Sequence, residues 1–125
     1  MGSGFDQELD RYNERHPGAP AAAHRRESGD IVLALGGELD MKGSSEAAPL
    51  LESALRECPS HGKLLLDMTR VGYVSSTGVG LLATTMVDAN KLSIKLVLLN
   101  IPTRVWNIMN ALGLLSFFAV EEACE

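Results

Sequence analysis

Aromatic residues are scarce in this chain: one tryptophan, two tyrosines and three phenylalanines make up 5% of 125 positions. A core must therefore be built from Leu, Val, Ile, Ala and Met, and the 46% hydrophobic content is enough for one compact domain. Only two cysteines occur, Cys58 and Cys124, and their spacing suits neither a disulfide framework nor a thiolate metal site. Basic residues are outnumbered 11 to 16, and the net charge of -5 argues against a general nucleic-acid-binding face. No run approaches the ~20 apolar residues of a membrane span. The N-terminus lacks the apolar core of a secretory signal. These absences describe a reduced, cytoplasmic, single-domain protein that does not insert into membranes.

Enzyme signatures are missing as well. There is no GxSxG elbow, no GxxxxGK(S/T) phosphate loop and no GxGxxG following a strand. His16, His24 and His61 fall in the tail or in loops and read as solvated side chains. Asp40 and Asp67 both fall at expected strand ends. Two carboxylates on one sheet rim are the sole candidate acid/base pair, and such residues more often cap turns. The expectation is a protein that is not an enzyme and needs no cofactor and no metal.

The pattern along the chain reads as follows. Residues 1–20, polar and punctuated by Pro17, Gly18 and Pro20, read as a flexible tail outside the core, with Leu9 and Tyr12 its only anchors. The domain then occupies 21–125. Ala22–Arg26 offers a weak strand, and Ser28-Gly29-Asp30 a turn into the apolar strand Ile31–Leu35, closed by Gly36-Gly37. A helix is expected over Ser44–Glu57, where Leu50, Leu51, Ala54, Leu55 and Cys58 recur at helical spacing. Pro49 must then sit in its first turn or mark its true start. Lys63–Asp67 and Ile94–Leu99 are expected strands whose centres, Leu64–Leu66 and Leu96–Leu99, are unbroken apolar runs that suit burial on both faces. A second helix is expected over Thr77–Ala89. A third starts near Pro102 with Val105, Ile108, Met109 and Leu112 on one face, Gly113 as its C-terminal cap, and Trp106 off the stripe. Phe117–Val120 reads as a closing edge strand. Strands alternating with helices imply parallel neighbours joined by right-handed crossovers, and the leading hairpin makes the sheet mixed.

Lys63–Leu82, KLLLDMTRVGYVSSTGVGLL, carries the most information. Thr69–Tyr73 breaks the strand, and Ser75, Ser76, Thr77 and Gly78 follow at a strand-to-helix turn. A helix start presents unpaired amides and the positive end of its dipole. A hydroxyl there is an ordinary cap, and a phosphate there is also well stabilised. The residues alone allow both a plain cap and a phosphorylation switch.

Three segments, in order, resemble the STAS domain and, within it, the anti-sigma factor antagonists. Gly37-Glu38-Leu39-Asp40 is similar to the family's G-x-L-D. Leu65-Leu66-Asp67 through Val74-Ser75-Ser76-Thr77-Gly78-Val79-Gly80 is similar to its L-D-L followed by D/S-S-S/T/A-G-L. Leu96–Arg104 with Leu112-Gly113-Leu114 completes the match. The resemblance covers roughly 29–120. It implies an α/β fold, a STAS-type mixed sheet of four to five strands with helices packed mainly on one face. It also implies that Thr77, immediately before the glycine, is the phosphoacceptor. Ser75 stands where the family often has Asp.

Partner switching follows from the resemblance. The unphosphorylated protein would bind an anti-sigma factor that is also a GHKL-type serine kinase, would be released by phosphorylation at Thr77, and would be reset by a PP2C-type phosphatase. The partner-binding rim would comprise Asp40, Tyr73, Ser75, Ser76 and Gly78, on a monomer or weak dimer. Two other roles keep the same fold: an accessory subunit of a lipid-transporting ABC complex, and a ligand-sensing module.

Overall fold

The computed structural model describes residues 4–121. Five strands form one sheet in the order β1 (Ala22–Arg25), β2 (Ile31–Leu39), β3 (Lys63–Val74), β4 (Lys95–Leu99), β5 (Ala119–Glu121). The β1–β2 pair is antiparallel and the other three pairs are parallel, so the sheet is mixed. Helices α2 (Met41–Glu57), α3 (Ser76–Lys91) and α4 (Thr103–Ala111) make the three crossovers, and a single 3₁₀ turn, Leu115–Phe117, precedes β5. The α/β class, the five-strand mixed sheet and the element order agree with the expectation.

Alternate strand residues separate into two apolar layers, as a pleated sheet requires. Ile31, Leu33 and Leu35, Leu64 and Leu66, and Leu96 and Leu98 pack in one cluster with Ala47, Leu50, Ala54, Leu82 and Val105 from the helices. Val32, Leu65, Val97 and Leu99 form a small second cluster on the other face, to which the helices contribute nothing. The helices therefore share one face. Leu64, Leu66 and Leu98 on the helix face and Leu65 and Val97 on the other are all buried, which is why these blocks show no polar alternation.

Four local expectations need correction. Residues expected in the tail form a helix, α1 (Gly4–Arg15), whose Phe5 and Tyr12 join the core cluster. Phe5 and Leu9 flank Glu57 in a surface cleft while His16 reaches Glu46, so α1 runs antiparallel to α2. Two aromatics spaced at i and i+7 were enough to dock a helix that is polar elsewhere. Second, α2 starts at Met41 and Pro49 lies inside it. Pro49 is exposed, so water can solvate the carbonyl one turn earlier that loses its amide partner. Third, Thr69–Tyr73 does not end β3. The strand continues to Val74 through two register shifts against β2. Fourth, His16 is not a solvated loop residue: it stacks on Tyr12, and its Nε2 lies 3.0 Å from Glu46 Oε1.

Smaller differences are matters of length. Leu112 caps α4 instead of continuing its buried stripe, and is half exposed. Trp106 is exposed, as its place off the stripe predicts. Cys124 lies outside the described residues; Cys58 is buried, and burial pushes its thiol up to about 11.

Candidate functional site

The rim at the carboxyl ends of β2 and β3 is assembled by pairing. Glu38 pairs with Tyr73 and Leu39 with Val74, so Asp40 and Ser75, the next residues in each chain segment, leave the sheet side by side. Each then starts a helix. Asp40 is the N-cap of α2, its Oδ1 accepting the Gly43 amide at 2.8 Å. Ser75 is the N-cap of α3, its Oγ accepting the Gly78 amide at 3.1 Å. Both helices thus point their N-terminal amides, and the positive ends of their dipoles, at the same edge.

Ser75 has a second bond that the sequence does not announce. Its hydroxyl donates to the Leu39 carbonyl at 2.9 Å, and its backbone amide donates to the same oxygen at 3.1 Å. The end of β2 and the start of α3 are clamped through one carbonyl. The approach is close enough to require glycine. A Cβ on Gly78 would overlap the Leu39 carbonyl oxygen and come within 2.9 Å of Leu39 Cβ and Val74 Cγ1. A Cβ on Gly43 would likewise overlap the Glu38 carbonyl oxygen. Gly78 is therefore buried structure at the rim, and Gly43 is its unforeseen counterpart on α2.

Ser76 and Thr77 occupy the first two helical positions of α3, and both are exposed. Neither hydroxyl has a hydrogen bond among the described residues. The three hydroxyls thus divide: Ser75 is committed as donor and acceptor, whereas Ser76 and Thr77 face solvent. Tyr73 is partly buried beside them. The structure brings together Asp40, Tyr73, Ser75, Ser76, Thr77 and Gly78.

It does not bring in Asp67. That residue pairs with Ala34 and Leu99 in the body of the sheet, seven positions before Val74, or about 20 Å of extended chain. Its Oδ1 accepts the Thr69 amide at 3.0 Å and the Thr69 hydroxyl, and Asn100 Nδ2 at 3.5 Å. Partial burial pushes this carboxyl up, but the Thr69 and Asn100 hydrogen bonds and the Arg70 charge outweigh it and hold the group below its ordinary value. Asp40 caps α2 whereas Asp67 is held within the sheet by Thr69 and Asn100, so the two carboxylates do not share one rim. Among the described residues no cluster of His, Cys, Asp and Glu has the makings of a metal site. No helix among them is long and apolar enough to cross a membrane.

An open apolar groove of about 480 Å³ begins at this rim. It runs along α3 past Ser76, Val79, Gly80 and Ala83 and is walled by Leu112, Leu114, Phe117 and Phe118. Half-exposed Leu112 and largely exposed Phe117 belong to this wall.

The family model for the STAS domain matches residues 21–125, and the chain belongs to that family. No curated protein matches the sequence. Solved structures with the same fold include SpoIIAA from Bacillus in its phosphorylated form, a cell fate determinant 20% identical, with a TM-score of 0.61 over 84% of this chain and 92% of that one. An anti-sigma factor antagonist from Mycobacterium paratuberculosis is 20% identical, with a TM-score of 0.65 over 82% and 85%. A sulfate transporter family protein from Wolinella succinogenes is 19% identical, with a TM-score of 0.65 over 78% and 80%.

Proposed function

We propose that the protein is an anti-sigma factor antagonist that works by partner switching, with Thr77 as the phosphoacceptor. The observation that carries this reading is the division of labour at the rim. Ser75 holds the turn together, which leaves the Thr77 hydroxyl exposed, without a hydrogen bond among the described residues, on the second residue of α3. A kinase can reach such a group without unfolding anything. A phosphate there adds between about one and a half and two negative charges. The N-terminus of α3 tolerates that charge, so the fold persists. A partner packed across Asp40 and Thr77 does not tolerate it, because it must desolvate the phosphate or oppose it to the Asp40 carboxylate.

The partner of this reading is an anti-sigma factor with GHKL-type kinase activity. It is captured by the unphosphorylated protein, modifies Thr77 and is released; a PP2C-type phosphatase restores the hydroxyl. Ser75 stands where the family often has a carboxylate, and it fills that group's place as the cap of α3.

The test is affinity capture from host lysate with ADP and magnesium, using wild-type protein, Thr77→Glu and Thr77→Val as baits. The expected result is one kinase held by wild type and Thr77→Val and lost by Thr77→Glu. Phosphopeptide mapping after incubation with that kinase and ATP should place the phosphate on Thr77. Equal capture of a transporter ATPase by all three baits would overturn the switch and make Thr77 a passive interface residue.

A further inference from the structure

We propose that α1 and the loop behind it form a brace that sets the geometry of the rim, so that docking of α1 and the shape of the Asp40–Thr77 surface are coupled. The brace is built from residues that precede the family match, which begins at residue 21.

The rim needs bracing because of how it is joined to the sheet. From Ala34↔Asp67 to Gly36↔Arg70, β3 spends one residue more than β2, and it does so again from Gly37↔Val71 to Glu38↔Tyr73. Each extra residue interrupts the ladder and bends the strand. Between the two shifts lie Gly36 and Gly37, the latter at φ 81°, where the backbone resists bending least. Beyond them the chain carries Asp40 on one strand and Ser75 on the other. The rim is thus a lever attached through a twice-bulged, glycine-containing neck.

The N-terminal segment grips this neck and the helix after it. Tyr12 is buried, and its hydroxyl donates to the Gly36 carbonyl at 3.4 Å. Ala19 lies against both glycines; a Cβ on Gly37 would come 3.3 Å from Ala19 Cβ. Asn13 fixes the loop by two bonds to Ala21, donating to its carbonyl at 3.0 Å and accepting its amide at 2.7 Å. His16 packs its Nε2 3.0 Å from Glu46 Oε1, without hydrogen-bond geometry, in the second turn of the helix that Asp40 caps. The brace therefore holds the strand before Asp40 and the helix after it, which simple burial of an extra helix does not require. If the free energies of docking and of rim ordering are linked, each must bias the other. The coupling belongs to the chain itself and is measurable with no partner present.

Hydrogen exchange read by mass spectrometry on the full chain tests it, comparing wild type, a Tyr12→Phe/Asn13→Ala variant and Val120→Ala. Val120 packs on the core from β5 and serves as the control for general destabilisation. The double variant should speed exchange of amides in 36–43 and 73–79 by about tenfold or more, while β4 and α4 follow the control. Faster exchange confined to α1 would overturn the proposal, as would a rim response equal to that of Val120→Ala. Should the double variant fail to fold, Asn13→Ala alone carries the same comparison.

Discussion

The Ser75 hydroxyl donates to the Leu39 carbonyl at 2.9 Å while accepting the Gly78 amide at 3.1 Å, so one side chain joins the last residue of β2 to the first turn of α3. Only a hydroxyl can make both bonds at once. Ser75→Ala removes both and should cost about 1–2 kcal/mol. Ser75→Asp keeps the acceptor for Gly78 but sets a carboxylate against the Leu39 oxygen. It should fall between wild type and Ser75→Ala in stability, although aspartate is as good an N-cap as serine. Urea titrations of the three proteins decide this; an aspartate variant as stable as wild type would show that the Leu39 bond contributes nothing.

Glycines two residues apart should behave oppositely. A methyl on Gly78 overlaps the Leu39 carbonyl, so Gly78→Ala must separate α3 from β2 at a cost of about 2–3 kcal/mol. Gly80 has nothing within 4 Å of an added Cβ and lies at an exposed position inside the same helix. Gly80→Ala should stabilise by about 0.5–1 kcal/mol through helix propensity and a less flexible unfolded chain. Paired thermal melts would expose an error in the rim geometry if the two variants shifted in the same direction.

How much of this was legible before the fold was known depended on whether the signal was local. The strand centres Leu64–Leu66 and Leu96–Leu99 were legible because burial on both faces removes every polar residue from them. The turn at Ser75–Gly78 was legible because cap, hydroxyls and glycine are contiguous. The Leu39–Ser75 clamp was not, because it joins residues 36 positions apart through a backbone carbonyl, which leaves no mark on side-chain identity. Helix α1 was hidden for another reason. Its docking rests on Phe5, Tyr12 and a few polar contacts to distant backbone, while the rest of the segment is as hydrophilic as a tail. Likewise, Asp67 looked like a rim residue because Thr69 and Arg70 read as the end of a strand that in fact bulges and continues.

Asp67 yields a pH prediction of definite sign. Its folded-state value is depressed, so it contributes stability that is present above the unfolded value near 3.8 and lost as pH falls through the folded one. The stability gap between wild type and Asp67→Asn should therefore be widest at neutral pH and close below about pH 4. Denaturant midpoints at pH 7, 5 and 3 check this. A gap that widened toward pH 3 would reverse the assignment and imply that Thr69 and Asn100 favour the protonated acid.

The first half of α2 carries two features that oppose its stability, and each can be removed. The Ser44 hydroxyl is buried without a partner among the described residues, so Ser44→Ala should be neutral or stabilise by up to about 1 kcal/mol. Pro49 interrupts the helix on its exposed side, and Pro49→Ala restores an amide donor one turn after Ser45. The helix gains up to about 3 kcal/mol on propensity, partly offset by the freer unfolded chain, so a net gain of about 1–2 kcal/mol is expected. The magnitude is informative. A full gain means that α2 already has helical geometry at residue 49 and tolerates the proline. No gain, or a loss, means that proline bends α2 to the shape that α1 and the sheet require, and the bend is then part of the packing. Denaturant titrations of Pro49→Ala and of the Ser44→Ala/Pro49→Ala pair separate these, because the two sites lie on opposite sides of the helix and their effects should add.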